Sequence, residues 1–252
     1  VHIGFPLAQY GPRNPPFATR IMRNPRLEIL ADTMPSGRMT AQLGYHDISK
    51  IFARFAAAEP HPKGELAHVN DYTLLVAIAL SAQSTDIGVN KATAALFAIA
   101  DTPQKMLDLG EPALIEHIKS LGLFRQKAKN VIKLSRILVD DYGGAVPSSR
   151  AALQSLPGVG RKTANVLLNM VYAHPAQAVD THIFRVGNRT GLAAGRDVVA
   201  VERAIEDNVP VQYQRHAHHW LILHGRYICK ARKPACGACI IADLCHSEDK
   251  IL

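Results

Sequence analysis

The sequence predicts an all-α chain. Apolar residues recur at helical spacing through most of its 252 residues, as at Ala128, Val131, Ile132, Leu134, Ile137 and Leu138. Helix-start signals punctuate that pattern: Thr102 stands before Pro103, and Ser148 and Ser149 stand before a short apolar stretch. No convincing alternating run with paired turns reads as a set of strands, and no internal repeat of fixed period is visible.

Each element follows from local signals. Asp47 to Ala58 predicts a first helix. Asp71 to Ala82 is nearly all apolar and long enough to be a buried helix. Thr85 or Asp86 caps the next, which runs to about Ala100. Thr102-Pro103 opens another, and Glu111-Pro112 repeats the signal. Gly143-Gly144 stops the helix built on Ala128 to Leu138. Ser148 or Ser149 caps a short helix ending at Leu156, and Arg161 to Tyr172 makes the one after it. Further helices fit Thr181 to Thr190, Val199 to Val209 and Tyr213 to Tyr227.

Residues 1–42 read differently. They are rich in proline, and Arg13, Arg20, Arg23 and Arg26 precede the first acid, Glu28. We expect a basic, flexible N-terminal extension; the lack of serine before Ser36 argues against a transit peptide.

The totals exclude several classes. An apolar share of 48% is too high for a largely disordered chain. The longest strongly apolar run, Thr73 to Leu80, is far too short to span a bilayer. The first residues lack the basic-then-apolar order of a signal peptide. These features predict a protein without membrane attachment, cytoplasmic and nucleoid-associated if bacterial. A net charge of +8 suggests a polyanionic partner.

One stretch sharpens that suggestion. Leu156-Pro-Gly-Val-Gly-Arg-Lys-Thr163 joins two predicted helices. It fits neither a nucleotide P-loop, because Arg161 separates Gly160 from Lys162, nor a dinucleotide fingerprint, because position 163 is threonine. Gly158 and Gly160 permit a tight turn whose N–H groups project outward at the positive end of a helix dipole. A phosphate of a nucleic-acid backbone can approach such a turn without its bases being read. The plain alternative is an ordinary connection between helices. Lys162 is either a solvated or phosphate-contacting cation, or a nucleophile. The helix terminus and adjacent Arg161 both disfavour its ammonium and ease access to the neutral amine.

All four cysteines lie close together, as Cys229-x6-Cys236-x2-Cys239-x5-Cys245. Four thiolates with none left over suit one tetrahedral metal or one [4Fe–4S] cluster. The spacing is not that of the usual paired zinc knuckles. Lys230, Arg232 and Lys233 occupy the first loop between cysteines, which a metal would hold rigid as a phosphate-contacting edge.

Taken together, these motifs resemble the endonuclease III family of helix-hairpin-helix DNA glycosylase/AP lyases. The resemblance rests on the hairpin, on Val179-Asp-Thr-His-Ile-Phe-Arg185, on the cysteine spacing, and on "LSAQSTD" (80–86), "GLFRQKAKN" (122–130) and "HHWLILHGRYIC" (218–229). It runs from about Tyr45 to the last residues. It implies a six-helix barrel domain over 64–174 that carries the hairpin. It implies an iron–sulfur cluster domain made of 43–63 together with 175–252, with a DNA cleft between the two. By the same resemblance Lys162 is the nucleophile and Asp180 the essential carboxylate. Cys229, Cys236, Cys239 and Cys245 hold one [4Fe–4S] cluster. Gln83 fills the gap left by a flipped base, and Leu123 wedges beside the orphaned one. Gly158, Gly160, Arg161, Thr163, Lys230, Arg232 and Lys233 are expected to meet the DNA. The implied activity is excision of oxidised pyrimidines from double-stranded DNA by a monomer, with nicking of the abasic site through a lysine Schiff base. Two other functions compete. An adenine-mismatch glycosylase of the same superfamily usually lacks the lysine and has a glutamate where none stands between Asp71 and Asp86. A non-catalytic DNA-binding module with a structural metal would not form a covalent adduct.

Overall fold

A computed structural model describes residues 42–251; the expected N-terminal extension lies, but for its last residue, outside them. Among the described residues every regular element is helical. We number them α1 (Tyr45–Ala58), α2 (Asp71–Ser81), α3 (Asp86–Ile99), α4 (Pro103–Ile118), α5 (Phe124–Tyr142), α6 (Arg150–Ser155), α7 (Arg161–Met170), α8 (Thr181–Thr190), α9 (Val198–Asn208) and α10 (Val211–Tyr227). A short 3-10 turn covers Cys236–Ala238.

Caps explain where most of these begin. Asn70 and Thr73 form a reciprocal capping box at α2. Thr85, not Asp86, caps α3 by accepting the Gly88 N–H. Thr102 caps α4 ahead of Pro103, and Ser149 caps α6. Helix α4 is broken within: Gly110 at φ 79° interrupts it just before Glu111-Pro112, so the second start signal is used after all. Gly143, at φ 59°, ends α5 with a left-handed cap.

Packing follows the apolar pattern. Helix α2 is buried from Tyr72 to Leu80, on all sides, as a helix apolar all round must be. It is the centre of one hydrophobic core, built from Tyr72 to Ala178, with α4 and α5 packed closely on each other. A second core joins α1 (Ile48, Ile51, Phe52, Phe55) to residues from Val179 to Ile241. Phe52 sits at its middle, stacked on Tyr213 and tilted against Trp220. A fully buried aromatic or Leu/Ile side chain contributes roughly 1.5–3 kcal/mol, so each core is a large stabilising mass. The chain passes from the first core to the second between Ala178 and Val179, one residue before Asp180.

Candidate active site and cluster centre

The hairpin between α6 and α7 has two unlike glycines. Gly158 adopts φ +81°, and a Cβ there would lie 3.0 Å from Asn130 Nδ2, so any other residue is strained there. Gly160 has ordinary extended geometry and nothing within 4 Å of a Cβ. Its missing side chain therefore serves no contact inside the protein and leaves the hairpin surface open. Gly160 is the N-cap of α7, and no side chain caps that helix. The first-turn N–H groups of Arg161, Lys162 and Thr163 thus face outward without a capping side chain. Thr163 is half-buried within that turn.

Lys162 projects from the second position of α7, with 49% of its side chain exposed and Nζ 3.8 Å from Asp180 Oδ2. Asp180 is the N-cap of α8. Its Oδ1 accepts the N–H groups of His182 and Ile183, each at 2.9 Å. One oxygen is therefore fixed by the helix and the other is left toward the lysine. The His182 ring lies against the Arg185 guanidinium, with Nδ1 3.3 Å from Nη2.

A cavity opens beside the lysine, lined by Ser81, Asp86, Lys162, Met170, His218 and Arg226 among others. The Asp86 carboxylate receives the Arg226 guanidinium at 2.7 Å, and Arg226 also pairs with Glu65. Burial pushes the Asp86 carboxyl up, Lys162 draws it back, and Asp180 adds to the rise. His218 is buried, and its Nδ1 has no hydrogen-bond partner. Burial holds its pKa well below the usual histidine value, reinforced by His219 and Lys162, so it stays neutral. Sequence reasoning missed Asp86, His218 and Arg226 as site residues. Their one signal was an acid at the end of segment 80–86 and the histidines and arginine scattered through segment 218–229.

Arg161 has a partner that the sequence does not reveal. Its guanidinium is committed to Glu202, with Nε at 2.9 Å from Oε2 and Nη2 at 2.8 Å from Oε1. Glu202 is 3% exposed, and Arg150 is its second cation at 3.8 Å. The Arg161 side chain therefore ties α7 to α9 while 40% of it stays exposed beside the hairpin.

Gln83 and Leu123 both lie on the surface, at φ 58° and φ 57°. Leu123 is 64% exposed, so it is not the ordinary core leucine that its apolar character alone suggests.

The four cysteines are all free thiols and ring one cavity. Among the described residues no group of three or more His, Cys, Asp or Glu side chains is placed to hold a single metal ion. Four thiols lining one cavity match the four irons of a [4Fe–4S] cluster, each of which needs one thiolate. Burial pushes the Cys239 and Cys245 thiols up, which bound iron would reverse. The Ser247 N–H lies 3.4 Å from Cys245 Sγ, and Arg189 Nη1 lies 3.8 Å from Cys229 Sγ. Such N–H···S contacts tune iron–sulfur centres. Arg189 also holds the Lys230 carbonyl at 2.7 Å, bracing the loop whose Lys230, Arg232 and Lys233 are all exposed.

A glycine hairpin that delivers a lysine to a helix-capping carboxylate defines a helix-hairpin-helix base-excision protein. The model of the HhH-GPD superfamily of base excision DNA repair proteins matches residues 76–211, and that of the iron–sulfur binding domain of endonuclease III matches residues 229–245. Endonuclease III of Haemophilus influenzae is 55% identical over 202 residues, covering 80% of this chain and 96% of the relative. That of Rickettsia conorii is 56% identical over 198 residues, covering 79% and 94%. A solved structure of a trapped endonuclease III–DNA covalent intermediate superposes with TM-score 0.75 at 41% identity, covering 81% of this chain and 96% of that one. The chain belongs to the endonuclease III family. It is a DNA-binding base excision repair enzyme, a DNA glycosylase and AP lyase, with a [4Fe–4S] cluster. No described helix is long and apolar enough to cross a membrane.

Proposed function

We propose that this enzyme removes oxidised pyrimidines from duplex DNA and nicks the resulting abasic strand through Lys162. The observation that carries this reading is the Lys162 Nζ to Asp180 Oδ2 approach of 3.8 Å, with the other Asp180 oxygen tied to α8. A damaged base stacked in a duplex is out of reach, so it is flipped out, at a cost of a few kcal/mol. The hairpin N–H groups hold the backbone while Gln83 fills the vacated space and Leu123 wedges beside the orphaned base. The neutral Lys162 amine bonds to C1′ as the glycosidic bond breaks, and the base leaves with the electron pair. Asp180 steadies the positive charge that develops on the sugar and takes the proton from the lysine nitrogen. Opening of the sugar gives a Schiff base that acidifies the C2′ hydrogen. Loss of that proton expels the 3′ oxygen and breaks the strand. The cavity of Asp86, His218 and Arg226 beside Lys162 would receive the extruded base.

Cys229, Cys236, Cys239 and Cys245 would hold the cluster, which stiffens the loop of Lys230, Arg232 and Lys233 against DNA and takes no part in bond breaking. On this reading a barrel domain over 64–174 and a cluster domain of 43–63 with 175–252 flank the DNA in a monomer, which if bacterial works in the cytoplasm on the nucleoid. A panel of duplexes, each with one damaged base, tests the specificity: release of oxidised pyrimidines is expected, and preferential release of purines overturns it.

A further inference from the structure

Lys127 is buried in α5, with 7% exposure, and takes no part in the chemistry above. A buried lysine ordinarily faces a carboxylate. Among the described residues no ion pair includes this one. Its ammonium instead donates to Ser84 Oγ at 2.8 Å, across 43 residues of sequence. Burial alone pushes its pKa down.

The two ends of this bond are informative. Ser84 follows Gln83 directly. Lys127 stands one helical turn after Leu123, whose carbonyl accepts the Lys127 backbone N–H at 3.0 Å. Gln83 and Leu123 are two of only four non-glycine described residues with positive φ. Side-chain-bearing residues rarely adopt that backbone, and it persists only where surrounding structure imposes it. The two turns also lie against each other: a Cβ on Gly122 would sit 3.8 Å from the Gln83 carbonyl oxygen. A side chain on each turn thus leaves the surface from a sharply bent backbone, and one buried ammonium joins the turns from below.

We infer that Lys127 is a positioning residue: its bond to Ser84 locks the Gln83 turn to the Leu123 turn, so that both side chains meet the duplex at a fixed spacing. The inference rests on the reading of Gln83 and Leu123 as residues that enter the DNA. Insertion demands order before contact, because side chains ordered only on binding lose affinity to that ordering. A buried tie supplies the order without presenting a charge at the stacked bases. Its partner is a hydroxyl and not a carboxylate, so the tie itself adds no anion beneath the two turns.

The test compares an abasic site in a duplex with the same site in a single-stranded oligonucleotide, by the rate of borohydride trapping, alongside thermal unfolding. Only the duplex needs insertion. Lys127→Met keeps the bulk and removes the donor; Ser84→Ala removes the acceptor from a partly exposed loop. Both are expected to slow trapping on the duplex about tenfold to a hundredfold, the range for a small misplacement, and to leave the single-strand rate unchanged. Leu123→Ala should show the same duplex-only loss, and Lys127→Met combined with Leu123→Ala should lose less than the product of the two. Equal losses on both substrates with a lowered Tm would make Lys127 a plain structural residue and overturn the inference. A duplex loss in Leu123→Ala but in neither tie variant would overturn the inference and leave insertion standing. Full duplex activity in Leu123→Ala would overturn the insertion reading, and the inference with it.

Discussion

Arg161→Ala separates a structural clamp from a DNA contact. The substitution removes both hydrogen bonds to Glu202 and leaves that carboxylate, 4% exposed at its side chain, with Arg150 at 3.8 Å as its remaining cation. Orphaning a buried ion-pair partner costs about 3–5 kcal/mol. The Arg161 fork is 40% exposed and Arg150 persists, so solvent and the second cation absorb a good part of that. We expect a loss of about 2 kcal/mol. For a body of this size that lowers Tm by roughly 4–8 °C. Thermal unfolding followed by circular dichroism reads the loss directly, and a salt titration of duplex binding supplies the contrast. A side chain that neutralised a phosphate would, on removal, cut the slope of log affinity against log salt by about 0.9. A clamp leaves the slope unchanged. An unchanged Tm with a reduced slope would refute the clamp and return Arg161 to the DNA.

Asp180→Asn should fold and bind DNA normally, because asparagine is as good an N-cap and can still accept the His182 and Ile183 N–H groups. Base release should fall by about 100-fold or more, measured in single-turnover assays; parallel loss of binding would contradict this. The two hairpin glycines should part company. Gly158→Ala, at φ +81° against Asn130, should cost about 1–3 kcal/mol in denaturant unfolding. Gly160→Ala has room for its Cβ and should cost at most about 1 kcal/mol, from alanine's poorer N-capping, yet weaken duplex binding if the hairpin holds a phosphate as proposed. Acid should destabilise the fold before its carboxylates titrate. Burial holds His219 down at about 4 against 6.5 unfolded, helped by His216, so the unfolded chain takes up the proton first. Its stabilising contribution is full above pH 6.5 and is lost as pH falls toward 4, by roughly 2–3 kcal/mol, with His218 shifted the same way. Flat stability across that range in chemical denaturation would contradict the sign.

What the sequence makes legible is local. Thr102 and Ser149 announce helix starts because a cap acts on its own next turn, and the apolar run 73–80 announces a buried helix because nothing else accommodates it. Ends are less legible: α7 stops at Met170, not Tyr172, and α1 starts at Tyr45, before Asp47. Helix ends fray, and no capping side chain marks the start of either helix. Side-chain commitments at a distance are hidden altogether. Arg161 beside Lys162 reads as a phosphate ligand until Glu202, 41 residues on, takes its guanidinium. Leu123 reads as core until its turn proves left-handed and its side chain exposed. Asp86 reads as a cap alternative to Thr85, and only the fold brings Arg226 to it from 140 residues away.

The central claim is that Lys162 is the nucleophile, and borohydride trapping on duplex DNA carrying an abasic site tests it most directly. The native chain should yield a covalent protein–DNA species, and Lys162→Gln should yield none while still binding the same duplex. An undiminished adduct in Lys162→Gln, or none in the native chain, would contradict the account.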